Sequence, residues 1–196
     1  MISSKAVRNA LAAHLRTRLS LGTDAVLPDW PPATKELARP VAVTVIDAGP
    51  VAHDGETGAP ELVSMTPGAG ATATARYRLG SFTIPLAIEL WCATEFERDR
   101  RIEQIQAALN EAPTVSGEAV ADVLAGLTLT VADYFNAPCT FDSDGWLATP
   151  QAEGVTREEW RATFPVTARI DELVEKTVTR QVATEVTVTA SPDPLS

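Results

Sequence analysis

The sequence is poor in the residues that most enzymes and metal proteins depend on. Its 196 residues include two cysteines and two histidines. Cys92 and Cys139 form no CxxC pair, and two thiols in a chain this long make no disulfide framework, so both are expected as buried free thiols. His14 and His53 are separated from each other and from the cysteines, so paired zinc-ligand spacing is missing. Neither histidine has a nucleophile in a turn such as G-x-S-x-G, which argues against Ser-His-Asp or Cys-His catalysis. No apolar run approaches the roughly 20 residues of a membrane helix. The opening Met1-Ile2-Ser3-Ser4-Lys5-Ala6-Val7-Arg8 passes straight into an amphipathic pattern, without the apolar stretch of a signal peptide. The expectation is a soluble protein made in the cytoplasm that binds or assembles and is not an enzyme, with no metal and no cofactor.

Positive charge is absent from two long stretches. No Lys or Arg occurs from Pro40 to Ala75, where Asp47, Asp54, Glu56 and Glu61 lie, or from Ile102 to Thr156, which holds eight acids. The net charge of −10 disfavours general nucleic-acid binding, because phosphate contacts need a cationic footprint. The bases cluster elsewhere, including Arg76, Arg78, Arg98, Arg101, Arg161 and Arg169. Three readings stand side by side: a solubilising surface, unlike surfaces that meet across a subunit contact, or an acidic face that repels DNA. On the second, those six arginines with Asp54, Glu56 and Glu61 are the candidate interface residues.

What is present is enough apolar material for a core, at 45% hydrophobic residues. Val7, Leu11, Leu15 and Leu19 repeat every four residues and predict a helix from Ser4 to about Leu19, capped by Ser3 or Ser4 and followed by Gly22. The Pro-rich Leu27–Pro32 link disfavours helix, and the β-branched run Val41–Ile46 predicts a strand. Asp47–Ala75, rich in Gly, Ala, Pro and Thr, is expected to protrude as a loop or an extended hairpin, ordered against a neighbour. Phe82 to Cys92 alternates cleanly as a strand, with Pro85 marking an edge or a bulge. Thr94 and Glu97 form a capping box for a helix running to about Asn110, in which Glu97 can pair with Arg101.

Downstream, Val120, Val123 and Leu124 suggest a short helix over Gly117–Ala125, and Leu127–Val131 a strand. Asp142-Ser143-Asp144-Gly145 is expected as a turn. Trp160–Ile170 alternates like Phe82–Cys92, down to Thr83-Ile84-Pro85-Leu86 against Thr163-Phe164-Pro165-Val166, so the two strands are natural antiparallel neighbours. Thr177–Thr189 is a further β-rich stretch, either a last strand of its own sheet or one added to another subunit's edge. Ser191–Ser196 is expected to fray.

Two motif matches fail on context. Gly68-Ala69-Gly70-Ala71-Thr72-Ala73 fits G-x-G-x-x-A literally, yet it leads towards a strand and opens no helix onto a pyrophosphate. In the Asp142–Gly145 stretch a calcium loop would place Thr140 at its first position and Gln151 at its twelfth, so the bidentate Glu is missing. The acids of the 47–75 segment could include a catalytic carboxylate pair, but nothing in the sequence places two of them face to face.

The order of elements, with the alternating strand ending Ile88-Glu89-Leu90-Trp91-Cys92-Ala93-Thr94 and running into a Glu/Arg-rich helix, resembles the tail terminator (tail-completion) proteins of tailed bacteriophages and phage-like particles. The Ala6-Val7-Arg8-Asn9-Ala10-Leu11 helix and the Phe164-Pro165-Val166-Thr167-Ala168 strand fit the same layout, and the likeness covers about residues 1–171. The 47–75 segment and the 177–190 extension depart from it. The expected fold is α+β: a mostly antiparallel twisted sheet with two main amphipathic helices packed on one face, over residues 1–171, followed by a β-rich C-terminal extension and tail at 172–196. The resemblance implies a virion protein at the head-proximal end of the tail, assembled in the host cytoplasm. It would form a ring, commonly six-fold, that caps the tail tube protein, ends polymerisation and offers a surface to the head–tail connector protein. An acidic lumen would let DNA pass without specific binding. The alternative is another connector or tail adaptor of the same kind of particle.

Overall fold

A computed structural model describes residues 4–30, 40–55, 59–110, 114–115, 118–119, 127–132, 134–143, 145–149 and 160–179. The fold is α+β, with a curled mixed sheet and two helices. In chain order the elements are α1 (Ser4–Leu19), β1 (Val26–Leu27), β2 (Val41–Asp47), β3 (Ala52–Gly55), β4 (Glu61–Pro67), β5 (Thr72–Cys92) and α2 (Glu95–Leu109). They continue with β6 (Thr114–Val115), β7 (Glu118–Ala119), β8 (Leu127–Val131), β9 (Ala137–Ser143), β10 (Leu147–Thr149) and β11 (Trp160–Thr179). The main path across the sheet is β1-β2-β5-β11-β9-β8. The β1–β2 pair is parallel, which makes the sheet mixed; among the described residues every other pair is antiparallel.

Two very long strands organise the molecule. β5 and β11 pair antiparallel from Trp160↔Cys92 to Thr179↔Thr72. With β11 on one edge of β5, the opposite edge carries β2, β3 and β4 in succession, from Val41↔Cys92 through Gly55↔Gly80 to Pro67↔Ala73. Residues 41–92 therefore form one extended hairpin whose first strand is interrupted twice. The 47–75 segment is the outer half of this hairpin, the second of the two forms expected for it. Its tip is closed by Gly68 N–H donating to Thr72 O at 3.0 Å, with Gly70 at φ +64°, a backbone that glycine adopts at no steric cost. The literal G-x-G-x-x-A match is thus a hairpin tip between two strands.

The prolines sit where the ladder is already broken. Pro85 falls opposite the gap between β2, which ends at Asp47↔Leu86, and β3, which begins at Ala52↔Thr83. Its carbonyl still accepts from Ala48 N–H at 2.9 Å. Pro165 lies opposite the break between β9 and β10, which follow one another along β11. A residue without an N–H is tolerated in a central strand at such positions.

The core lies between the sheet and the helices. Ile84, Leu86, Ile88 and Leu90 of β5 and Ala162, Phe164, Val166, Ala168 and Ile170 of β11 are buried at alternate positions. They join Val7, Leu11 and Leu15 of α1 and Ile102, Ile105 and Leu109 of α2 in one cluster. α1 ends where Ser20 takes a left-handed φ of 53° and Leu21 N–H returns to Arg16 O at 3.0 Å, so Ser20 and not Gly22 turns the chain. α2 starts on Thr94, whose hydroxyl accepts from Glu97 N–H at 3.2 Å, as the capping box predicts.

Three expectations are corrected. Glu118–Ala119 is a strand paired with Thr114–Val115, so the proposed helix over 117–125 does not hold there; the rest of that segment lies outside the described residues. Asp142 and Ser143 belong to β9, and β10 follows in the same direction along β11, so the expected turn does not reverse the chain; Asp144 lies outside the described residues. The strand expected to end at Ile170 runs to Thr179, so a boundary at 171/172 falls inside β11, and of the 177–189 stretch only its first residues are described, as that strand's end.

Candidate interaction surface

β5 and β11 outrun the helices. Beyond a bulge in β5, where the register passes from Glu172↔Gly80 to Leu173↔Arg78, they continue with β4 as a three-stranded arm made of residues 61–67, 72–80 and 172–179. Residues directly opposite one another in a sheet share a face, so the register sorts the arm into two sides.

One side is largely polar and self-neutralised, except for Leu173, which lies opposite Arg78 and joins the body core. Arg76 reaches Glu175 at 2.6 Å across the β5–β11 pair, and Arg78 reaches Glu61 across β4–β5 and Asp171 at 3.8 Å. These cross-strand pairs help to join the three strands, each worth about 0.2–1 kcal/mol at such exposure. The other side is apolar. The row Leu62–Tyr77–Val174 and the row Met65–Ala75–Lys176 lie on it, with Leu79 of the bulge alongside. Leu62, Met65 and Val174 are 49%, 47% and 40% exposed, values foreign to a covered sheet face. Pro60, Tyr77, Leu79, Val174 and Lys176 enclose an open groove of about 290 Å³. Among the described residues no strand pairs with the outer edge of β4 or with the distal outer edge of β11.

The junction of arm and body is tight. A Cβ on Gly80 would stand 2.4 Å from Asp54 O, so only glycine fits between β3 and β5. His53 stacks on Phe82 at 4.6 Å and meets Glu172 at 2.8 Å, linking β3 to β11 across the same point.

The remaining candidate residues are engaged within the chain. Arg98 is buried, contacts Asp99 at 2.8 Å and Glu95 at 3.2 Å, and lies 5.1 Å from the centre of the Trp160 ring. Arg101 pairs with Glu97 at 2.8 Å and donates to Leu19 O at 3.1 Å, tying α2 to the end of α1. Arg161 stacks on its cross-strand partner Trp91 with 3.4 Å between guanidinium carbon and ring centre, a cation–π contact. Arg169 lies 3.9 Å from Asp142. Asp54 is exposed on β3, Glu61 is held by Arg78, and Glu56 lies outside the described residues. The charges singled out in the sequence are therefore spread over the arm, α2 and the body sheet, and no single patch unites them.

Both thiols are buried and free; burial, reinforced at Cys92 by Glu97, pushes each up to about 12, so they are inert at neutral pH. His14 lies 3.0 Å from Ala108 O, and burial lowers its pKa against the pull of that carbonyl. Among the described residues no group of His, Cys, Asp and Glu is placed to hold a metal, and no helix is long and apolar enough to cross a membrane.

Sequence reasoning missed two features. Arg8 is buried in α1 and donates to Pro28 O at 2.8 Å while reaching Asp29 at 3.1 Å and Asp47 at 3.4 Å, so it fastens the Pro-rich link and the end of β2 to the helix. The apolar arm face was hidden by composition, although Ala73, Ala75, Tyr77 and Leu79 alternate with Thr74, Arg76 and Arg78 at strand period. No family model matches the chain, and no curated protein matches it. The fold class and the surface thus carry the functional reading.

Proposed function

We propose that the protein is a structural, ring-forming component of a tailed bacteriophage or phage-like particle, which caps the tail tube, ends its polymerisation and offers the head-joining surface. The observation that carries this reading is the arm: a three-stranded projection whose apolar side exposes Leu62, Met65 and Val174 and whose outer edges have no strand partner among the described residues, joined to a body whose core takes only Leu173 from it. A ring closes through a heterologous contact, in which one patch meets a different patch on its neighbour. An arm distinct from the body supplies such unlike patches. In this reading α1 and α2 are amphipathic braces that keep the body sheet's apolar face inside the subunit and leave the arm to its neighbour.

Negative-stain imaging of the purified protein mixed with tail tubes tests the proposal. The expected result is rings seated on tube ends and tubes of fixed length when the protein is present during polymerisation. An oligomer that ignores tubes but binds a connector would move the protein to the head–tail adaptors. A lone subunit that leaves tube growth unchanged would end both readings.

A further inference from the structure

The apolar side of the arm leaves Leu62, Met65 and Val174 40–49% exposed, and the opposite end of the molecule presents an aromatic side chain to solvent. Phe96 stands in the first turn of α2, 78% exposed, between Glu95 and Glu97. It is the most exposed of the large hydrophobic side chains described. The side chains of Glu95 and Asp99 beside it are each 58% exposed and share the single Arg98, at 3.2 and 2.8 Å, which leaves two carboxylates to one guanidinium. The groove carries the complementary charge, because Lys176 forms part of its wall beside Tyr77, Leu79 and Val174. At about 290 Å³ it falls at or below the lower end of the ~300–1,000 Å³ typical of small-molecule sites and suits a single inserted side chain.

Phe96 cannot reach the groove of its own subunit. Tyr77 and Cys92 are the two ends of a continuous stretch of β5, and 15 residues at about 3.3 Å each separate them by up to about 50 Å. Phe96 follows Cys92 within one turn of helix. We infer that the arm groove receives Phe96 of a second copy of this chain, with the carboxylates beside Phe96 facing Lys176. Such a contact is head-to-tail by construction, so it closes a ring or propagates a filament. The arm face alone, three strands about 4.8 Å apart and eight residues long, spans only roughly 300–400 Å². That is about half of the ~800 Å² per partner in a stable interface, so this contact anchors the subunits and further surface completes the junction.

The inference rests on the ring reading, and crosslinking separates the two. Phe96→Cys and Val174→Cys are made in separate full-length chains, checked for native circular dichroism, then oxidised with oxidised glutathione alone and as an equimolar mixture. Buried Cys92 and Cys139 stay silent, as unsubstituted protein verifies. The expected result is a disulfide dimer in the mixture and not in either variant alone, and a ladder of multimers when both substitutions share one chain. Dimers from Phe96→Cys alone would overturn the inference, since that contact is two-fold. Unsubstituted protein that is oligomeric by light scattering, with no dimer in the mixture, overturns this pairing and leaves the ring standing. A monomer at every concentration with no mixed dimer overturns both. Charge reversal adds a second readout: Lys176→Glu is expected to raise the dissociation constant several-fold, and Glu95→Lys in the same chain to recover most of the loss. No recovery would remove the charge pairing from the account.

Discussion

The body and the arm are built from the same two strands, yet they are held together by different physics. In the body, β5 and β11 alternate buried and outward residues, and the buried set packs on two helices in a single cluster. Along the arm the same strands keep their pairing but lose that cover, and β4 is exposed at every position. Ion pairs and backbone ladders join the strands there, and hydrophobic burial narrows to Ala73, Ala75 and Leu173. Regular pairing therefore does not imply local stability: the body carries its own, while the arm borrows from the strands it shares.

The comparison breaks most sharply at the centre of the body. Phe164 is fully buried on β11, and Phe164→Ala should cost about 3–5 kcal/mol in a denaturant melt of the whole chain. A loss under 1 kcal/mol would mean that the body core is not where the stability lies. The next largest effect is expected at the junction. Gly80→Ala sets a methyl group against the Asp54 carbonyl, backbone against which no side chain can yield, at a cost of about 1–3 kcal/mol. Hydrogen exchange should accelerate in residues 61–79 and 172–179 while α1 and α2 keep their protection; uniform acceleration would show that arm and body unfold as one unit.

The smallest effect comes from His14, which acts on the body alone. Its folded-state pKa lies below 6.5 because burial disfavours the imidazolium, with Arg18 adding to the depression. Between that lowered value and about 6.5 the unfolded chain holds a proton that the folded chain lacks. The contribution of His14 is thus intact above that window and is lost as pH falls through it. Melts at pH 7.5 and 5.5 should show this slope, and His14→Gln should flatten it; an identical slope in the variant would assign the dependence elsewhere.

The body was legible in the sequence because burial writes a period. Helices α1 and α2, the alternating strands at Phe82–Cys92 and Trp160–Ile170, their antiparallel pairing and the Glu97–Arg101 contact all follow from side-chain spacing. The arm was half legible. Its residues need no large apolar side chains against a core, so Thr, Ala and Gly suffice, and the composition reads as loop until the partner strands are known. The candidate charges were legible as residues but not as pairs. Sequence separation hid that Arg76 meets Glu175 and Arg78 meets Glu61, so charges that look segregated along the chain cancel once the strands lie side by side. The parallel β1–β2 pair was beyond reach, since two residues leave no pattern to detect.

Because β5 and β11 cross from body to arm without a chain break, a load on the tip at Gly68–Ala71 is carried by covalent backbone. Peptide links do not slip as packed side chains do. A tug at that extremity is delivered to Cys92 and Trp160, the far ends of the two strands, a few residues from where α2 begins. The molecule is thus a lever whose long arm is the projection and whose short arm ends at the helix bearing Phe96.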